Sequence, residues 1–203
     1  MIAVVDYGVG NLFSLSASLD YLGLDVRITS NPDIIRKANK IILPGVGAFK
    51  PAIDRLTKTG LKAVVDEEVK KGKPTLGICL GMQLLFERSH EYGINEGLGY
   101  IKGEVIGMEG RVCPGTKVPH MGWNKLKIAK KDNPILKHIN EGDYVYFVHS
   151  YFASGCDSAI VASVDYDVTV PAIVNCDNVY GTQFHPEKSS DVGLGLLRAF
   201  DEL

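Results

Sequence analysis

From Ile2 to about Ser89 the sequence switches repeatedly between short apolar runs and stretches with helical spacing, and no other feature restricts the fold as strongly. Ile2 to Asp6 is an apolar run ending in a turn. Leu12, Leu15, Leu19 and Leu22 follow at spacings of three and four, which places them on one helical face. Leu24 to Ile28 has strand character. Asn31-Pro32 supplies an N-cap and a first-turn proline for a short helix, and Lys40 to Leu43 is strand again. Helical text extends from Ala48 to about Lys71, a strand is predicted at Pro74 to Ile78, and a helix from Leu80 to about Ser89. Elements in this order build a parallel sheet through right-handed crossovers, with helices on both faces.

The texture changes near Tyr100. From there to about Gly181 the helical period fades, and Glu104 to Met108, Trp123 to Ile128, Tyr144 to Val148, Ile160 to Val164 and Ala172 to Asn175 read as short strands that form hairpins. Ser189 to Leu203 is a closing helix, with Val192, Leu196, Leu197 and Phe200 on the face that docks on the sheet. The expected fold is therefore three-layer α/β: a mostly parallel central sheet, helices on both faces, and an antiparallel β extension. Its 203 residues, 45% of them hydrophobic, suit one domain spanning 1–203 without a second core.

Several function classes recede on simple grounds. With 22 basic and 24 acidic side chains and no run of about five or more like charges, the chain lacks the basic footprint of a nucleic-acid binder. No apolar stretch approaches the roughly 20 residues needed to cross a bilayer, and MIAVVDYG lacks the pattern of a secretion leader, which predicts a cytoplasmic protein without a membrane partner. Gly8-Val9-Gly10 starts like a dinucleotide fingerprint, but its third glycine would fall at Phe13, so no nucleotide cofactor is expected. No histidine pair has i, i+3 or i, i+4 spacing and no C-x-x-C is present, so no metal site is expected.

The most informative segment is Pro74-Thr-Leu-Gly77-Ile-Cys79-Leu-Gly81-Met-Gln83. A cysteine between strand and helix, with glycine two residues before and after, has the G-x-C-x-G form of a nucleophile elbow. In that tight turn, side chains at 77 and 81 would collide with the nucleophile or neighbouring backbone. The turn also sets Cys79 at a helix N-terminus, where unpaired amides favour thiolate and the Leu80 amide can face a developing oxyanion. A buried core cysteine at an ordinary strand end would read the same from this segment alone.

A thiolate nucleophile needs a base. Of His90, His120, His138, His149 and His185, the last stands apart: His185-Pro186-Glu187 follows the alternating Val179 to Phe184. In an extended segment residues two apart point the same way, so Glu187 could orient the His185 imidazole. A proline turn with two solvated neighbours is the plainer reading of that tripeptide, and the elbow tips the balance toward chemistry.

G-I-C-L-G-M-Q at 77 to 83 together with H-P-E at 185 to 187 resembles the class I glutamine amidotransferases, whose triad is cysteine, histidine and glutamate in that chain order. The resemblance extends to Asp6 to Asn11, Pro44 to Phe49, Pro119 to Asn124, Val148 to Phe152 and His185 to Ser189, segments similar to those of the glutaminase subunits of imidazole glycerol phosphate synthases. It implies an enzyme that takes glutamine as substrate through the triad Cys79, His185 and Glu187. It implies amides at Leu80 and at Val46 or Gly47 for the oxyanion, the latter gated by partner engagement. Gln83, Glu91, Ser150 and Tyr151 would hold the glutamine α-amino and α-carboxylate ends.

The same resemblance implies a heterodimer in which ammonia passes to a (β/α)8-barrel cyclase subunit of histidine biosynthesis. The cyclase would contact Asn11, His120, Trp123, Asn124 and Lys188. Trp123, the only tryptophan, lies in an irregular setting that suits an interface anchor as well as a core position. Two competitors stand beside this reading: a glutaminase serving anthranilate, carbamoyl phosphate, pyridoxal phosphate or nucleotide synthesis, and a non-catalytic flavodoxin-like binding module with a structural Cys79.

Overall fold

The computed structural model describes residues 1–203. The first part of the chain forms β1 (Ile2–Val5), α1 (Leu12–Tyr21), β2 (Val26–Thr29), α2 (Pro32–Lys37), β3 (Lys40–Leu43), α3 (Phe49–Lys58), α4 (Leu61–Lys70), β4 (Thr75–Ile78) and α5 (Leu80–Leu84). There follow β5 (Phe86–Ser89), β6 (Asn95–Glu96), β7 (Ile101–Gly107), β8 (His120–Lys125), β9 (Lys127–Ile128), β10 (Tyr144–His149) and β11 (Tyr151–Ser154). The chain closes with β12 (Ile160–Tyr166), β13 (Val168–Cys176), β14 (Val179–Thr182) and α6 (Ser190–Asp201).

The main sheet has eight strands in the order β2-β1-β3-β4-β14-β13-β12-β9. The pairs from β2 to β14 are parallel and those from β14 to β9 antiparallel. Every residue of β1 is buried because both sheet faces are covered, which is why it reads as a continuous apolar run. Ile2 and Val4 join one core with Leu15 and Leu19 of α1 and Leu196, Leu197 and Phe200 of α6. Ala3 and Val5, which alternate with them along β1, join the apolar layer on the other face of the same sheet with Ile35 of α2, Leu56 of α3 and Val65 of α4, so one domain is packed on both faces of a single sheet. Truncating a fully buried side chain such as Leu19 to alanine would cost about 2–5 kcal/mol.

Two predicted helices differ from the observed ones. The stretch from Ala48 to Lys71 is not continuous: Thr59 ends α3, and Gly60, with φ of 75°, turns the chain into α4. The helix begun at Leu80 stops at Leu84, and Phe86–Ser89 is strand. The carbonyls of Leu84, Leu85 and Phe86 accept from the amides of Leu98, Tyr100 and Gly99, so a longer helix would lose its bonding partners. Strand β5 pairs parallel with β7 and antiparallel with β6, and β11 completes this second sheet. Strands β8 and β10 form a separate antiparallel pair with His120 opposite His149. The predicted strand at Trp123 thus begins three residues earlier, at His120.

Candidate active site

At the carboxyl end of β4 the chain turns sharply into α5, and Cys79 sits at the turn with φ of 52° and ψ of −108°. A non-glycine residue in that conformation is strained, and surrounding structure must hold it there. The flanking glycines answer to close approach. A Cβ on Gly77 would lie 2.6 Å from the Gly81 carbonyl oxygen, and one on Gly81 would lie 1.8 Å from that of Leu43. The Cys79 amide donates to the Thr182 carbonyl at 2.7 Å, which continues the β4–β14 ladder past the strand end.

That pairing sets His185 beside Cys79, because parallel strands bring their carboxyl ends to one edge. His185 Nδ1 lies 2.8 Å from Glu187 Oε1, and both side chains are 4% exposed. The contact is made by a turn and not by extended chain. Pro186–Lys188 is a single 3-10 turn closed by Lys188 N to His185 O and Ser189 N to Pro186 O, and the turn folds the Glu187 side chain back onto the ring. The Ser189 hydroxyl also donates to the His185 carbonyl at 2.7 Å. Burial works against a charged imidazole here, but hydrogen bonding to Cys79 and Glu187 outweighs it and raises the His185 pKa to about 10. With Nδ1 engaged by Glu187, Nε2 is the nitrogen left for the sulfur.

A cleft of about 620 Å3 opens above these groups, lined by Cys79, Leu80 and His185 together with Val46, Gly47, Gln83, Glu91, Ser150, Tyr151 and Lys188. Glu187 stays behind the ring. The segment carrying Val46 and Gly47 is fastened at both ends. The Tyr7 hydroxyl donates to the Pro44 carbonyl at 2.6 Å, and the Phe49 amide donates to Glu91 Oε2 at 2.5 Å. Between these ties Val46 is 41% exposed and Gly47 has φ of 93°.

Tyr7 and Gln183 are absent from the sequence-derived set. Tyr7 lies two residues past the end of β1, and Gln183 precedes His185 by two residues, the spacing that had singled out Glu187 on the other side. Gln183 is fully buried and joins the site through Gln83, whose Nε2 donates to Gln183 Oε1 at 3.1 Å and to the Tyr151 carbonyl at 2.9 Å.

The residues expected at a partner surface are less uniform. Asn11 caps α1 by accepting from the Ser14 amide. Trp123 is 48% exposed with its edge against Tyr146, and Asn124 donates to the Asp165 carbonyl at 3.3 Å. His120 corrects the expectation, since its ring is 1% exposed and stacked between Phe147 and Tyr166, and a partner cannot touch it there. Its Nδ1 lies 3.0 Å from His149 Nε2, while His149 Nδ1 donates to the Tyr151 carbonyl at 2.9 Å. His149 Nε2 must therefore accept from His120 Nδ1, and His120 Nε2 is left buried without a partner.

No three His, Cys, Asp or Glu side chains are grouped to hold a metal ion, and no helix is long and apolar enough to cross a membrane. A strained cysteine elbow and a buried His–Glu pair at the same edge of a mixed α/β sheet define a cysteine amidotransferase type of protein. Residues 3–200 match the class-I glutamine amidotransferase family model, and the chain belongs to that family. It is 50% identical over 205 residues to the imidazole glycerol phosphate synthase subunit HisH of Bacillus licheniformis, covering 100% of this chain and 96% of that protein. The same identity extends over 204 residues to the subunit of that name from Caldanaerobacter subterraneus, covering 100% and 98%. Among solved structures, a crystal structure described as a glutamine amidotransferase superposes with a TM-score of 0.77 at 18% identity, covering 100% of this chain and 98% of that one. PurLQS from Thermotoga maritima gives 0.76 at 19% identity, covering 99% and 97%. These structural likenesses concern the fold.

Proposed function

We propose that this protein is the glutaminase subunit of an imidazole glycerol phosphate synthase: it hydrolyses glutamine and delivers the ammonia to a cyclase subunit in a heterodimer of the histidine pathway. The observation that carries the chemistry is His185, held between Cys79 and Glu187 at the floor of the cleft. Full-length 50% identity to HisH subunits carries the choice of pathway. On this reading residues 1–203 act as one domain in the cytoplasm, and the lyase step belongs to the cyclase side of the complex.

Cys79 Sγ attacks the glutamine carboxamide carbon, and the carbonyl oxygen gains the negative charge. The Leu80 amide and one from Val46 or Gly47 would stabilise that oxyanion, the second on rotation of the segment between its two ties. His185 transfers its proton to the leaving nitrogen, the C–N bond breaks, and ammonia departs from a thioester. Water then gives a proton to His185 and attacks the thioester carbon, which releases glutamate and the Cys79 sulfur. Glu187 keeps the ring oriented and its charged form stabilised. Gln83, Glu91, Ser150 and Tyr151 line the cleft where the amino-acid end of the substrate would lie, and Asn11, Trp123, Asn124 and Lys188 would meet the cyclase. Ammonia escaping into neutral water would be protonated and lose its nucleophilicity, so a docked acceptor suits this chemistry.

The test is glutamine hydrolysis by the chain alone and with the histidine-pathway cyclase and its ribotide ligand. Hydrolysis should rise on addition of cyclase and ligand, and Cys79→Ala should abolish it. A complex that releases no glutamate, or a rise only with some other synthase, would overturn the assignment.

A further inference from the structure

Beneath the cleft, behind Cys79 and Gln83, lies a buried amide that the mechanism above does not use. Gln183 is fully buried, and Cys79 Sγ is the hydrogen-bond partner of its Nε2, at 3.8 Å. A buried amide without a partner is costly, so what bonds to that nitrogen matters.

The orientation of this amide follows from its neighbours. Gln83 must present its NH2 to the Tyr151 carbonyl, which can only accept. The same NH2 meets Gln183, so the atom of Gln183 facing it must be Oε1. Turning Gln183 over would oppose two donors. Nε2 is thereby forced toward Cys79, and the sulfur receives a donor that favours its anionic form. Both Gln83 donors being occupied, Gln83 Oε1 remains as the polar atom it can offer to the cleft. The chain of bonds runs from sulfur through Gln183 and Gln83 to the backbone of Tyr151, so the nucleophile and one wall of the cleft share a single buried side chain.

We propose that Gln183 is a positioning residue of the glutaminase site, donating through Nε2 to the Cys79 thiolate and fixing the Gln83 carboxamide through Oε1. This rests on the function proposed above. It adds a donor to the sulfur, independent of His185, and makes the cleft wall at Gln83 depend on the same residue.

The experiment is the pH dependence of Cys79 alkylation by iodoacetamide in the full-length chain, followed on the Cys79 peptide by mass spectrometry. Cys113, Cys156 and Cys176 then do not interfere. Gln183→Met removes the donor at similar volume, and Gln183→Glu replaces it with a group that repels the anion. Each should raise the alkylation midpoint by about one pH unit or more, so that at a pH between the two midpoints the variant reacts several-fold more slowly than the wild type. In the complex with cyclase, both should raise KM for glutamine as well as lower kcat. If one variant fails to keep the wild-type circular dichroism, the other decides. An unshifted midpoint in a folded variant overturns the role of Gln183. The two readings fail separately: alkylation needs no glutamine, and a wild-type complex inert toward glutamine would remove the function while leaving the alkylation result to judge the thiolate contact.

Discussion

Glu91 holds the amide of Phe49 at 2.5 Å through Oε2 while its side chain borders the cleft, so the carboxylate that closes one end of the site also fastens the segment 44–49. A ligand ammonium arriving at Glu91 would compete for that carboxylate and slacken the tie at Phe49. On the proposed function, substrate binding and the freedom of Val46 and Gly47 would thereby be coupled through one side chain. Glu91→Ala should raise KM for glutamine tenfold or more, as expected from the roughly 1.5–3 kcal/mol of a hydrogen bond to a charged group. It should also speed hydrogen exchange at Phe49. Unchanged exchange at Phe49, read by nuclear magnetic resonance, would show that the tie does not hold the segment.

The His120–His149 pair makes acid stability a second test. Burial lowers the pKa of His120 to about 4, and burial followed by the neighbouring His120 lowers that of His149 to about 3. Both rings stay neutral when folded, whereas the unfolded chain takes up protons as pH falls below about 6.5. Stability is therefore full above that value and drains away as pH falls toward the folded values, by about 2 kcal/mol per ring at pH 5 relative to pH 8. His120→Phe keeps the stack on Phe147 and Tyr166 and removes the unpartnered Nε2. Urea unfolding at the two pH values should show the acid loss reduced by about 2 kcal/mol in this variant. An unreduced loss would mean that His120 is protonated in the folded state.

His185 acts in the opposite sense. With its folded pKa raised to about 10, its contribution is complete below about 6.5 and is lost as pH climbs through 10, so His185→Ala should flatten the alkaline side of the stability profile and leave the acid side alone.

Much of this architecture could be read from local patterns. The β–α alternation is visible because each parallel strand is buried on both faces, and the elbow because its glycines meet hard steric limits. What escaped depends on partners distant in sequence. Leu80 to Ser89 carries helical text, yet the amides of Leu98 to Tyr100 claim its carbonyls. His120 has the neighbours of a surface loop, but Phe147 and Tyr166 close over it from β10 and β12. Gln183 carried a usable signal, the two-residue spacing from His185, and its role depends on Gln83, which lies 100 residues away.

Tyr7 supplies a prediction of a different kind. Its buried hydroxyl donates to the Pro44 carbonyl at 2.6 Å, and burial drives its pKa far above the ordinary tyrosine value, so it stays a neutral donor. Tyr7→Phe leaves that carbonyl without its donor and should cost about 1–3 kcal/mol in urea unfolding. It should also loosen the Pro44 end of the segment, which would appear as faster hydrogen exchange at Val46 and Gly47. A loss of stability without faster exchange would confine Tyr7 to the core.

The glycines of the elbow separate two reasons for lacking a side chain. At Gly81 a Cβ would press into the Leu43 carbonyl oxygen at 1.8 Å, and β3 cannot retreat because β1 and β4 hold it on either side. At Gly23 a Cβ would meet nothing within 4 Å, and only the φ of 69° resists substitution. Gly23→Ala should therefore cost about 1–2 kcal/mol in thermal or urea unfolding and leave the site unaltered. Gly81→Ala must instead shift backbone between β3 and the turn that carries Cys79. It should cost more than 3 kcal/mol, at the upper end for single substitutions, and displace the nucleophile. Equal stability losses in the two variants would mean that the elbow yields more readily than its packing allows, and that the strained conformation of Cys79 is not held by the approach of Gly81 to Leu43.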